Sequence, residues 1–251
     1  MLFAKFILIL EYKSLLFELD FMTTQELVTE LKTITQSNLN IIRKKMGHLS
    51  DSQRTWKQNE MTWNINEIFA HLNEYARYYH STFLKKIEKT KFRTPRTIFI
   101  SSPLGRSAWQ SMKLGNAKNV KRKFASQKSY NTTYEKSLLT GNEIKEFEVR
   151  QEELLTLIDK AQTVNLRKVK VPIAISKIIR FRLGDALLFV AYHNQRHVQQ
   201  ALNVLANPKF PKKYCNVTIS TINNSSIFTR PLNYIFIFCR QRLKPNSRRF
   251  I

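Results

Sequence analysis

Apolar residues return along this chain at steps of three to five, the spacing that keeps them on one face of a helix. Between Met22 and Gly47 they fall at Leu27, Leu31, Ile34, Leu39, Ile42 and Met46. Thr23 and Glu26 just ahead have the S/T-x-x-E spacing of a capping box, in which side chain and backbone satisfy each other at a helix start. The pattern predicts a first helix ending at Gly47, whose permissive backbone suits a C-terminal cap. Asn64 and Glu67 repeat the capping spacing, and Ile65, Ile68, Leu72, Tyr75 and Tyr79 form the stripe of a second helix reaching about Glu88. Thr140 and Glu143 give the spacing a third time, ahead of Ile144, Phe147, Leu154, Leu155 and Ile158, so a third helix ends before Asn165. A linking stretch through Val169, Val171, Pro172 and Phe181 leads to Gly184, where a last long helix begins and runs to Asn207 and Pro208.

Four amphipathic helices can enclose one core, which predicts an all-α protein with a four-helix bundle as its domain. The bundle is expected over residues 22–211, with an insertion at about 89–139 between the second and third helices. Pro95, Pro103, Gly105 and Gly115 punctuate that insertion, and a short helix is expected around Ser107 to Leu114. Residues 1–21 carry too short an apolar run for a signal peptide and hold Glu11, Glu18 and Asp20, so they read as an amphipathic extension with Met22 as an alternative start. Residues 212–251 lose all acids and the helical period, and are expected to lie outside the fold.

Charge alters this picture only locally. The chain has 42 Lys+Arg against 18 Asp+Glu, a formal charge of +24. Lys89 to Tyr134 holds eleven basic residues and no acid, and Asn207 to Ile251 holds nine more, again with no acid. The excess therefore belongs to the insertion and the tail, and a nucleic-acid partner is an alternative rather than the favoured expectation. A hydrophobic share of 43% excludes a wholly disordered chain, and no apolar run has the length of a membrane span, so no membrane partner is expected. Cys215 and Cys239 have no C-x-x-C spacing, so neither a disulfide framework nor a zinc ribbon is supported, and a reducing, cytoplasmic setting fits best. Phosphate-cradling glycine loops are absent.

The chemistry lies in the histidines. His193 and His197 are four residues apart and share the face of the last helix that carries Ala186, Val190, Ala201 and Val204. His71 sits beside Ile68, Leu72 and Tyr75 on the inward face of the second helix. Three inward imidazoles from two helices can hold a divalent ion and leave a position open for water or substrate. His48, near a helix end, and His80, with no His or acid at ligand spacing on its own face, read as surface or satisfied residues.

Trp63 followed by NINEIFAHLNEYARYYHSTF, and GDALLFVAYHNQRHVQQALNVL with its HxxRHxxQ pattern at His193, Arg196, His197 and Gln200, closely resemble the DinB/YfiT-like superfamily of helical bundles. The resemblance covers roughly Met22 to Pro211. It implies a metal triad of His71, His193 and His197, a metal-dependent small-molecule enzyme that is hydrolase-like or thiol S-transferase-like, and a homodimer as a reasonable assembly. The ion would be Zn, Ni, Fe or Mn. Gln200 is placed to orient an imidazole from behind. Many members carry an acid directly after the first His of the pair, where this chain has Asn194, and an amide cannot act as a general base. Glu67, Glu74 and Asp185 are the remaining, weaker catalytic candidates. Two other readings compete: a non-catalytic basic module binding nucleic acid or anionic surfaces, with Tyr130, Tyr134 and Trp109 as stacking groups, and a bundle whose metal site is structural or vestigial.

Overall fold

Phe21–Thr23 forms a short strand, β1, and hands over directly to helix α1 (Thr24–Lys45). Thr23 caps α1 with both bonds of the capping box to Glu26 in place. The computed structural model describes residues 21–115 and 128–212. Expectations for residues 1–20, for the centre of the basic insertion at 116–127, and for the tail from 213 with Cys215 and Cys239 lie outside the described residues. Met46 is the C-cap of α1, one residue before the expected Gly47. A one-turn helix α2 (Asp51–Arg54), capped by Ser50 and Gln53, turns the chain into α3 (Ile65–Lys89), which Asn64 and Glu67 cap as their spacing predicts.

After α3 the chain forms strand β2 (Ile98–Ile100), which pairs antiparallel with β1 in the register Phe21↔Ile100. The first residue of that pair lies within the segment expected to be an extension. Helix α4 (Pro103–Met112) follows, starting earlier than expected because Ser102 caps it and Pro103 occupies its first turn. Two 3₁₀ turns, Lys128–Tyr130 and Lys136–Leu138, precede helix α5 (Glu143–Ala161). The third capping box is only half formed: Glu143 accepts from the Thr140 and Gly141 amides, but the Thr140 hydroxyl accepts from the Asn142 amide and Asn142, the N-cap, makes no side-chain capping bond. The predicted linking stretch is a β-hairpin, β3 (Lys170–Ile173) and β4 (Ser176–Arg182), and it runs straight into helix α6 (Leu183–Leu205). The chain is thus mainly helical, with two small two-stranded sheets beside the six helices of the described residues. No helix among the described residues is long and apolar enough to cross a membrane.

Helix α1 packs on α5 and α6, α3 packs on the same two helices, and α4 lies against α6. Between them are two apolar clusters. One gathers Leu27, Leu31, Tyr79, Phe83, Leu154, Ile158, Leu187 and Ala191, and the other Ile42, Met46, Phe69, Leu72, Phe147, Val198 and Ala201. Full burial of side chains such as Phe69 and Leu72 contributes roughly 1.5–3 kcal/mol each, and it fixes the rotation of α3 about its axis. Where the clusters meet along each long helix there is a buried amide: Asn38, Asn73, Gln151 and Asn194.

The start of α6 is held by close approach. A Cβ at Gly184 would stand 2.5 Å from Phe99 Cε2 of β2, and one at Gly105 of α4 would stand 2.2 Å from Asp185 Oδ2. Asp185 accepts hydrogen bonds from the Ser102 amide at 3.0 Å and the Ser102 hydroxyl at 2.8 Å. The insertion is thereby fastened to the helix that carries two of the three candidate histidines.

Candidate metal centre

The capped start of α3 places His71 one turn beyond Glu67, among the buried residues Ile68 and Leu72. On α6, His193 and His197 project one turn apart toward the same point, as stacking at i and i+4 requires. Ring centroids lie 4.7 Å apart for His193 and His197, 4.9 Å for His71 and His197, and 5.2 Å for His71 and His193. His71 Nε2 stands 3.3 Å from His193 Nε2. Two nitrogens each about 2.0–2.1 Å from one tetrahedral ion would stand about 3.4 Å apart, so this spacing suits a shared metal. Ligand atoms of all three residues lie within 4.8 Å of one another, and no Asp, Glu or Cys among the described residues joins the group.

Contacts behind the rings determine which nitrogen faces the centre. His71 Nδ1 is 2.6 Å from the Tyr130 carbonyl oxygen, which can only accept, so the ring proton sits on Nδ1 and Nε2 keeps its lone pair. Nδ1 of His197 donates in the same way to Gln200 Oε1 at 2.8 Å. Phe189 stacks on His193 at 5.7 Å with an interplanar angle of 6°. Tyr75 lies 4.6 Å from His193 and 4.9 Å from His71, and Trp63 lies 5.0 Å from His71. The indole N–H of Trp63 donates to Thr133 Oγ1 at 3.3 Å, and the Tyr130 ring packs 4.7 Å from Tyr75. Tyr130 and Thr133 of the insertion therefore reach His71 and Trp63.

This enclosure keeps the imidazoles neutral. Burial pushes His71 down to about 4, against the opposing effect of its bond to Tyr130. Burial, with the neighbouring charge of His71, pushes His197 down to about 3, opposed by Gln200. His193 is held well below its ordinary value, chiefly by burial and then by His197, His71 and Arg196. A neutral imidazole is the form that binds a metal. Burial also pushes the Tyr75 phenol up to about 12, with Tyr130 adding to the effect, so it remains a proton donor near neutrality.

The carboxylates expected as weak catalytic candidates are engaged elsewhere. Glu67 Oε2 accepts from the Asn64 amide at 2.9 Å, and its Oε1 from Lys57 Nζ at 2.6 Å. Glu74 pairs with Arg77, which also reaches Glu146 at 2.6 Å. Asp185 is fully buried in its bonds to Ser102. Asn194 is buried, with its amide nitrogen unpartnered among the described residues. Arg196 donates to the Ser111 carbonyl at 3.3 Å, joining α6 to the end of α4. His48 is exposed, whereas His80 is buried and has an acid partner, Glu153 Oε2 of α5, at 3.1 Å. That partner lies on another helix, outside the reach of a same-face reading. Tyr130 and Phe189 are the contacts to the histidines that the sequence did not suggest. The ring of Phe189 lies one turn before His193, a spacing that could have found it; the Tyr130 carbonyl left no signal.

A family model for the DinB superfamily matches residues 35–201, which is well over half of the chain. The chain belongs to the DinB superfamily. No curated protein and no solved structure matches it. The DinB match contains all three histidines and Gln200, and it also spans residues 128–139, which press on His71 and Trp63.

Proposed function

We propose that this DinB-superfamily chain is a metal-dependent small-molecule enzyme, a four-helix bundle with a basic insertion at about 89–139, in which His71, His193 and His197 hold one divalent ion. The observation that carries this reading is the convergence of three neutral imidazoles, two buried and one, His197, half-buried, with Nδ1 of His71 and of His197 tied behind so that Nε2 faces the centre. A three-nitrogen donor set without carboxylate or thiolate suits Zn, Ni, Fe or Mn and leaves room for a further ligand. Bound there, such an ion would lower the pKa of a coordinated water to about 7 or take a substrate thiol as thiolate.

The protein's own groups supply the rest. Trp63, Tyr75 and Phe189 wall the histidines with aromatic surface and displace water from them. Tyr75, which stays protonated near neutrality and whose ring lies against both His71 and His193, would be the donor of a proton to a leaving or developing anion. Among the described residues no carboxylate stands at the cluster to serve as base, which favours a nucleophile activated by the ion itself. The test is elemental analysis of protein purified without a histidine tag, repeated after His193→Ala and His197→Ala. About one divalent ion per chain is expected, lost in both variants. Wild-type protein that takes up no divalent metal, with variants unchanged in metal content and Tm, would defeat the proposal.

A further inference from the structure

From Gln162 to Gly184 the chain carries six basic residues and no acid, and it interleaves them with isoleucines. The β3–β4 hairpin shows what this composition builds. Its inner side is rooted in the fold: Val171, Ile173 and Phe181 are buried, the Tyr78 hydroxyl donates to the carbonyls of Pro172 and Ile173 at 3.3 and 3.2 Å, and the Ala174 amide donates to the Tyr79 hydroxyl at 3.3 Å. The outer side is the reverse. Pro172 pairs with Arg180 but Ile173 pairs with Ser176, so Lys177, Ile178 and Ile179 bulge from β4 with no partner on β3. Ser176 Oγ accepts from the amides of both Ile178 and Ile179 at 3.3 Å, which shapes the bulge. Ile178 is consequently 89% exposed, Ile175 60% and Ile179 42%.

Cations surround these isoleucines. Arg167, Lys168, Lys170, Lys177 and Arg180 are exposed, and none makes an ion pair among the described residues. The Asn165 amide donates to the Phe92 carbonyl at 2.9 Å, and Lys91 and Lys168 lie 5.8 and 5.6 Å from the Phe92 ring, which brings Lys91 to the same end of the molecule. We propose that the β3–β4 hairpin is a docking surface for an anionic lipid bilayer, its isoleucine bulge entering the headgroup boundary while the flanking cations meet lipid phosphates and carboxylates. An anionic bilayer satisfies both halves of the surface. A nucleic acid would neutralise the cations and leave the isoleucines in water, and a second copy of the hairpin would set cations against cations. Contact would be peripheral, and it departs from the expectation of no membrane partner. The inference does not depend on the metal site.

Cosedimentation of the full chain with vesicles tests it, comparing phosphatidylcholine alone with phosphatidylcholine carrying about one-third phosphatidylserine. Binding to the mixed vesicles only is expected. Ile178→Ser with Ile179→Ser should weaken it by about tenfold or more, since apolar burial is lost while every charge, including those of the basic tail, stays in place. Lys177→Gln or Arg180→Gln should each weaken it by about fivefold. Both sites are exposed, and an unchanged Tm verifies that the fold survives. The proposal fails if wild-type protein ignores the mixed vesicles, or if the isoleucine variant binds them as wild type does. It also fails if the hairpin instead mediates self-association that the isoleucine variant abolishes, or if a single-stranded oligonucleotide binds more tightly than the vesicles and is insensitive to the isoleucine change.

Discussion

His71 and His197 sit with their ring protons turned outward, and that orientation has measurable costs. Replacing Gln200 by Leu removes the acceptor that fixes His197, and should lower metal affinity by about 10- to 100-fold in competition with a chelator while leaving the fold intact. Acid should destabilise the metal-free protein. His71 titrates near 4 when folded and near its ordinary 6.5 when unfolded, so the unfolded chain takes the proton first. Its contribution is fully present above about pH 6.5 and is lost as pH falls toward 4, to the extent of roughly 3 kcal/mol. Denaturation curves in chelator between pH 7 and 5 should show falling stability, and a flat profile would contradict the burial of these rings. The triad was legible in the sequence because spacing on two helices is enough to aim three side chains at one core. Its supporting contacts were less so. Gln200 could be read from its position one turn after His197, whereas the partner of His71 is a backbone atom 59 residues away, and no residue type announces it.

At the scale of elements, helices were predictable because each carries its own evidence: a cap at one end and a stripe along one face. Two of the three capping spacings form boxes, and the third forms only by half: Glu143 accepts from the Thr140 amide, but the Thr140 hydroxyl accepts from the Asn142 amide at 3.3 Å instead of from Glu143, where the helix only begins. Thr23→Ala should cost about 1 kcal/mol, read as a lower Tm. Strands were harder. β1 and β2 are three residues each, and β1 finds its partner across the whole of α1 and α3, so neither strand shows a pattern alone. The β3–β4 hairpin has a proline in one strand and three unpaired residues in the other, which breaks the alternation a strand needs to be recognised. Gly184 marks where these pieces meet. Gly184→Ala would drive a methyl group into Phe99, and thermal unfolding should show a loss of about 1–3 kcal/mol.

For the whole molecule, the metal proposal and the fold are linked thermodynamically. An ion at 100 times its Kd should raise the stability of the folded chain by about 2.7 kcal/mol, seen as a Tm that climbs with added metal and falls back with chelator. In the variant His193→Ala/His197→Ala that dependence should vanish. The layer of buried amides between the two apolar clusters gives a second global test. Gln151 is fully buried, and neither its amide oxygen nor its nitrogen has a partner among the described residues. Gln151→Leu should therefore leave Tm unchanged or raised, and a drop of several degrees would reveal an ordered water satisfying that amide.

The hydrogen bond from His71 to residue 130 has one more implication, for how this protein can vary. Its acceptor is main chain, so no side-chain replacement at 130 deletes it, and alanine scanning is blind to it. What must be preserved is the path of the chain, whatever letters spell it. For this bond the identity of residue 130 matters less than loop length, and a one-residue deletion between 131 and 135 is the lesion that would uncouple the insertion from the metal centre.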